Sequence, residues 1–122
     1  MELGIIGMGK MGLPLALNGR DKGLDIVVHT GKVDKLALLE REGVRGYARL
    51  EEFIAALSRP RAIWLMVPAG KAVDDTIATL LPLLDDGDCI IDGGNSHYQD
   101  SRRRHQELQE RDIRYLDVGT SG

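Results

Sequence analysis

Gly7, Gly9 and Gly12 directly follow the apolar run Leu3-Gly4-Ile5-Ile6. Glycines at this spacing let bare backbone approach an anion. In such a loop Gly7 permits a tight turn off a strand, Gly9 admits a pyrophosphate against the main chain, and Gly12 lets the next helix pack close to the sheet. The unpaired N–H groups at the helix start then bond the phosphates, helped by the positive end of the helix dipole. The pattern alone is weak where about one residue in eight is glycine, against roughly 7% on average. Its place inside a βαβ unit of about 30 residues gives it meaning, with a purely structural turn as the plain alternative. No Gly-Lys-Ser/Thr follows the glycines, which excludes a P-loop.

A second position sharpens the chemistry. Dinucleotide domains place Asp or Glu about 20 residues past the loop, where it bonds the ribose hydroxyls. Here the stretch reads His29-Thr30-Gly31-Lys32, with no carboxylate before Asp34. A 2′-phosphate is not repelled there. Thr30 can donate a hydrogen bond to it, Gly31 leaves space, and Lys32 or Lys35 supplies positive charge. This favours NADP(H) and leaves NAD(H) open, the plain alternative being that both lysines are ordinary solvated charges. A methyltransferase shares the glycine loop but normally closes the second strand with an acidic residue.

The elements that must hold these residues follow from hydrophobic periodicity. Strands are predicted at residues 3–6, 25–29, 62–67, 89–91 and 113–118, with a weak candidate at 45–47. Helical stripes fall at Leu13, Ala16 and Leu17; at Val33, Leu36 and Ala37, ended by Gly43; at Leu50, Phe53, Ile54 and Leu57; and at Val73, Ile77, Leu80, Leu81 and Leu84, with Pro82 a local irregularity. A polar outer helix is predicted over residues 99–111. The continuous apolar run 62–67 predicts a strand covered on both faces. Alternation with short connections predicts an α/β fold, a Rossmann-type, doubly wound, mainly parallel sheet in a single domain spanning 1–122.

Composition sets outer bounds. With 43% hydrophobic and 29% charged residues, the chain is globular in type. A formal charge of −3 offers no basic field for nucleic acid. No run of 18 apolar residues marks a membrane span and no charged-then-apolar leader marks a signal peptide. The lone Cys89 allows no intrachain disulfide, so a reducing, cytoplasmic setting is expected.

Three further segments follow predicted strands: Leu65-Met66-Val67-Pro68-Ala69-Gly70, Ile91-Asp92-Gly93-Gly94-Asn95-Ser96 and Asp117-Val118-Gly119-Thr120-Ser121-Gly122. Together with Gly7-Met8-Gly9-Lys10-Met11-Gly12 the sequence resembles, in order and across its length, the coenzyme domain of decarboxylating 6-phosphogluconate dehydrogenases. Asp-Gly-Gly-Asn-Ser is the most specific of these segments and the glycine loop the least. Pro68 stands where the longer branch of the family often has lysine, which points to the shorter, bacterial-type branch.

The resemblance implies roles residue by residue. Gly7, Met8, Gly9, Lys10, Met11 and Gly12 would surround the coenzyme pyrophosphate, the methionines also lying near the nicotinamide. Val67, Pro68 and Ala69 would border the coenzyme, and Asn95 would sit between nicotinamide and sugar acid. Ser121 and Gly122 match the start of the Ser-Gly-Gly segment that binds substrate. The implied reaction of the full enzyme, in the pentose phosphate pathway, is oxidation of 6-phosphogluconate at C3 and decarboxylation to ribulose 5-phosphate. The family's catalytic lysine and glutamate belong to a helical, dimerising domain beyond Ser-Gly-Gly, so no catalytic residue is expected within 1–122. The full-length parent is expected to be a homo-oligomer. Rival readings are the coenzyme domain of a β-hydroxyacid dehydrogenase and a stand-alone, non-catalytic dinucleotide-binding module.

Other chemistry-bearing residues have plainer readings. His29, His97 and His105 lack metal-ligand spacing. Arg102-Arg103-Arg104 is read as a solvated helix face, diluted by Asp100, Glu107 and Glu110. Asp74-Asp75 and Asp85-Asp86 are read as helix-start and turn charges, Trp64 as core and Cys89 as an inert buried thiol.

Overall fold

The computed structural model describes residues 2–7, 12–93 and 96–118. Its elements are β1 (Glu2–Ile6), α1 (Gly12–Asp21), β2 (Asp25–His29), α2 (Val33–Arg41), β3 (Arg45–Tyr47), α3 (Leu50–Ala55), β4 (Ala62–Leu65), α4 (Lys71–Leu80), β5 (Cys89–Asp92), α5 (Tyr98–Gln109) and β6 (Arg114–Asp117). A 3-10 turn, Leu81–Leu83, carries Pro82 at the predicted irregularity. The strands form one sheet in the order β3-β2-β1-β4-β5-β6, with every pairing parallel. The expected doubly wound Rossmann topology is therefore present, and the weak candidate at 45–47 is a true edge strand.

Side chains alternate between two cores. Ile6, Val27, Ile63, Leu65, Ile90 and Tyr115 face α3, α4 and α5. Ile5, Ile26 and Val28 face Ala16 of α1 and Leu39 of α2, with Trp64 and Met66 packed at the margin. Helix α2 ends as predicted: Gly43 has φ 75°, and the Val44 N–H returns to the Leu39 carbonyl at 2.9 Å, a turn that favours glycine because a Cβ is penalised there. Helix α5 ends in a similar way at Asp112, φ 58°, a residue type that tolerates the left-handed region.

The run 62–67 departs from expectation. Only Ala62–Leu65 is strand, and its burial alternates: Ile63 and Leu65 are fully buried, Ala62 and Trp64 partly. The reason is that, among the described residues, the second core takes its helices from α1 and α2. Along the same face, Leu116 of β6 remains 53% exposed.

Beneath the sheet, Asp88 is fully buried. It accepts the Arg61 backbone N–H at 2.7 Å and the Arg61 Nη1 and Asp85 N–H groups at 2.9 Å each. The turn cluster at 85–88 thus supplies a buried brace between the entries to β4 and β5. Asp88→Ala strands the mostly buried Arg61 guanidinium with Asp85 as its remaining carboxylate. We expect a loss of about 3 kcal/mol, read as a lower urea midpoint with an unchanged slope.

Candidate functional site

Parallel strands release their carboxyl ends along one edge, and here the ladder runs one residue past each of several strands. Gly7 N–H bonds the His29 carbonyl at 3.3 Å, Thr30 N–H the Tyr47 carbonyl at 3.1 Å, and Met66 N–H the Ile6 carbonyl at 2.8 Å. Gly93 N–H and Val118 N–H bond the Leu65 and Asp92 carbonyls at 3.0 Å each. The residues leaving the sheet are therefore pinned before the connecting segments begin. Strand order reverses between β1 and β4, where open α/β sheets bind ligands.

Gly7 stands at that reversal. Its φ is 105°, and a Cβ there would lie 2.5 Å from the Met66 carbonyl oxygen. Both facts demand glycine, as the spacing suggested. Gly12 opens α1 and is buried. At the end of β2, Thr30 is 4% exposed, and its hydroxyl accepts the Lys32 N–H at 3.2 Å. Lys32 is exposed as the residue before α2, and among the described residues its side chain forms no ion pair. Gly31 has open space where a Cβ would stand. The His29 imidazole meets Phe53 edge-on, with centroids 5.9 Å apart. Burial lowers its pKa, against a backbone hydrogen bond to Ala48, so the ring is neutral at pH 7.

At the end of β4, Val67 is half-buried against the larger core, while Pro68 and Ala69 are exposed. Gly70 turns into α4 with φ 91°. At the end of β5, Gly93 is packed tightly: a Cβ would fall 2.1 Å from Trp64 Nε1 and 2.8 Å from Met66 Sδ. Trp64 is only partly buried, packed at the margin of the second core, so it is less fully core than its strand context suggested; its buried Nε1 has no hydrogen-bond partner among the described residues.

The reading of Arg102-Arg103-Arg104 as a solvated face is corrected at one position. Arg104 is 1% exposed, because it and Leu108, four residues on, are the buried positions of α5. Its Nε donates to Asp74 Oδ1 at 2.8 Å, Nη1 to Ser96 Oγ at 3.0 Å and Nη2 to the Gly70 carbonyl at 3.2 Å. Ser96 Oγ donates to Asp92 Oδ2, which also accepts the Tyr115 hydroxyl at 2.7 Å. The hydrogen bond from Arg104 and that from Arg103 hold the Asp74 carboxyl below its ordinary pKa, against burial. Burial first, and the bond to Asp92 second, push the Tyr115 phenol up to about 12. The helical spacing from Arg104 to Leu108 was the one sequence signal for this network. Burial also raises the Cys89 thiol pKa, in keeping with an inert thiol.

The expected site residues Met8, Gly9, Lys10, Met11, Asn95, Ser121 and Gly122 lie outside the described residues. Among the described residues no group of three His, Cys, Asp or Glu side chains could hold a metal ion, and no helix is long and apolar enough to cross a membrane.

Comparison with known proteins meets this geometry from another side. Residues 2–122 match the profile of the NAD binding domain of 6-phosphogluconate dehydrogenase. A Bacillus subtilis protein named 6-phosphogluconate dehydrogenase, NAD(+)-dependent, decarboxylating, is 47% identical over 125 residues, covering 99% of this chain and 27% of the relative. This chain thus spans about a quarter of the length of such relatives. The Plasmodium falciparum 6-phosphogluconate dehydrogenase structure, described in its apo form and in complexes with its cofactor NADP+ and its substrate, superposes with a TM-score of 0.84 at 37% identity. That match covers 94% of this chain and 26% of that one. A Mycobacterium tuberculosis 3-hydroxyisobutyrate dehydrogenase also reaches 0.84, at 21% identity over 99% of this chain and 40% of that one, a likeness of fold alone.

The two glycines flanking this site should respond very unequally to a methyl group. Gly7→Ala combines a disfavoured φ with a clash against backbone and should cost on the order of 2–4 kcal/mol. Gly31→Ala meets nothing and should shift the urea midpoint negligibly. Equal effects would contradict the close approach of β1 and β4 at Gly7.

Proposed function

Because the chain belongs to the 6-phosphogluconate dehydrogenase family, in the part that forms its NAD binding domain, we propose that residues 1–122 bind NADP(H) for the oxidative decarboxylation of 6-phosphogluconate. The observation that carries this reading is the turn at Gly7. It lies at the reversal of strand order, one residue past β1 and five before the start of α1, with a positive φ and the Met66 carbonyl so near that only glycine fits.

The described residues fit such a ligand. Gly31 leaves room beside Lys32, and no carboxylate stands between His29 and Asp34 to repel a 2′-phosphate. When bound, the coenzyme supplies the acceptor for the hydride leaving C3 of the sugar acid. The amides following Gly7, Gly9 among them, hold the pyrophosphate with the N-terminus of α1, while Met8, Lys10 and Met11 flank it. Thr30 and Lys32 bind at the adenosine end. Val67, Pro68 and Ala69 shield the nicotinamide side from water. Asn95 uses its amide as donor and acceptor between coenzyme and sugar acid, and Ser121 and Gly122 begin the substrate cradle. None of these is a general acid or base. In the whole protein, a helical domain supplies the base at the C3 hydroxyl and the acid that protonates the enediol after carbon dioxide leaves. The same domain holds a homo-oligomer together, and the enzyme works in the cytoplasm. Asp92-Gly93-Gly94-Asn95-Ser96 favours this substrate over a β-hydroxyacid, whose dehydrogenases usually carry an Asp-x-Ser-Thr-like segment there.

Titration of the 122-residue chain tests the reading. NADPH should bind, and Gly9→Val should abolish binding with little change in far-ultraviolet circular dichroism. The chain alone should not turn over 6-phosphogluconate, since half the substrate site and the acid–base groups are missing. Binding that survives Gly9→Val, or robust NADPH production by the pure chain, would refute it.

Coenzyme choice is a separate matter, as the Bacillus subtilis relative is named NAD(+)-dependent and the Plasmodium structure is described with NADP+. An exposed lysine–phosphate contact contributes about 1 kcal/mol, without the bidentate fork of an arginine. NADP(H) should therefore bind about 5–10-fold tighter than NAD(H), with the gap closing as salt rises. Lys32→Ala should remove the difference; equal affinities in the parent chain would rule it out.

A further inference from the structure

Arg104 joins the exits of β4 and β5 beyond the last backbone hydrogen bond between them among the described residues, from the Gly93 N–H to the Leu65 carbonyl. One hand of its guanidinium reaches the start of α4, through the Gly70 carbonyl and Asp74; the other reaches Ser96, and through it Asp92 at the end of β5. Nη1 itself lies 3.7 Å from Asp92 Oδ2. Gly70 closes the segment that begins at Val67, and Ser96 directly follows Asn95 in the chain. In a dinucleotide fold the two βαβαβ halves each take one mononucleotide. With the β2 exit serving the adenosine ribose, the half built from β4, β5 and β6 takes the nicotinamide. The hydrogen bonds of Arg104 to described residues all lie in that half.

A merely stabilising role is poorly served by such a group. A guanidinium 1% exposed must be desolvated, and an apolar side chain of similar volume in line with Leu108 generally does as well or better. What the planar fork adds is geometry: three donors in fixed directions, held to three acceptors on two separate segments. On the coenzyme reading above, we propose that Arg104 is a positioning residue, which sets the β4 and β5 exits relative to each other so that the nicotinamide half of the coenzyme is held in register. It touches neither coenzyme nor substrate.

The test compares two probes on the 122-residue chain: NADPH, and 2′,5′-ADP, which lacks the nicotinamide half. Urea unfolding is followed in parallel. Arg104→Met should weaken NADPH about fivefold while leaving 2′,5′-ADP within about twofold, whatever happens to the urea midpoint. Arg104→Lys, which keeps the charge without the fork, should recover only part of the loss. Should Arg104→Met fail to fold, Ser96→Ala removes the relay to Asp92 and should show the same selective loss. Unchanged affinity for both probes would make Arg104 a structural brace only, and equal loss of both would make its effect global; either overturns the proposal. A parent chain that binds neither probe would instead overturn the coenzyme reading, and the positioning role with it.

Discussion

Two parallel strands cannot be joined by a tight turn, and nearly everything about this molecule descends from that constraint. Each connection must cross back over a face of the sheet, and each does so as a helix. All six strands then release their carboxyl ends along one edge. The chain winds outward from β1 to β3, then returns past β1 to continue from β4 to β6. At the return, the connections that follow β1 and β4 lead to helices on opposite faces. Gly7 sits at that return with its backbone against the Met66 carbonyl, a proximity that no side chain would permit.

Between neighbouring strands the backbone groups pair through the ladder and its one-residue extensions, and the energetic problem shifts to the few buried charges. They fall at the two ends of the strands. Asp88 with Arg61 ties the entries to β4 and β5; Arg104 with Asp74, Ser96 and Asp92 ties their exits. A depressed carboxyl pKa such as that of Asp74 adds stability above the ordinary carboxylate range, and that contribution fades as pH falls through the folded-state value. Partial exposure of Asp74, 38% at its side chain, keeps the contribution small.

Much of this architecture is written locally. The β-branched run 25–29, the stripe Leu50, Phe53, Ile54 and Leu57, and the glycine after α2 each name their own element, because the deciding contacts lie within a few residues. The first glycine of the loop is likewise legible, since the close backbone approach at Gly7 requires glycine whatever the surroundings. What local reading misses depends on the far side of a contact. Apart from its four-residue spacing to Leu108, nothing near Arg104 distinguishes it from Arg103, which pairs at the surface; Asp74 and Gly70, about thirty residues earlier, together with Ser96 make its position interior. The run 62–67 suggests cover on both faces because apolar residues do not announce which neighbouring helix will arrive, and here the second face of β4 receives only marginal packing.

The position of β1 bears on how the chain is made. Ile5 pairs with Val28 on one side and with Trp64 on the other, so this inner strand leaves the ribosome before either neighbour and obtains its second one only after α2, β3 and α3 have been synthesised. During that interval an apolar strand, destined for the middle of the sheet, presents an open edge. Closing the larger loop costs more chain entropy than closing the smaller one, though only slowly more with length. Nascent β1 therefore faces a contest between capture by β4 and pairing with another unfinished chain, and the speed of translation through residues 30–65 sets how long the contest lasts.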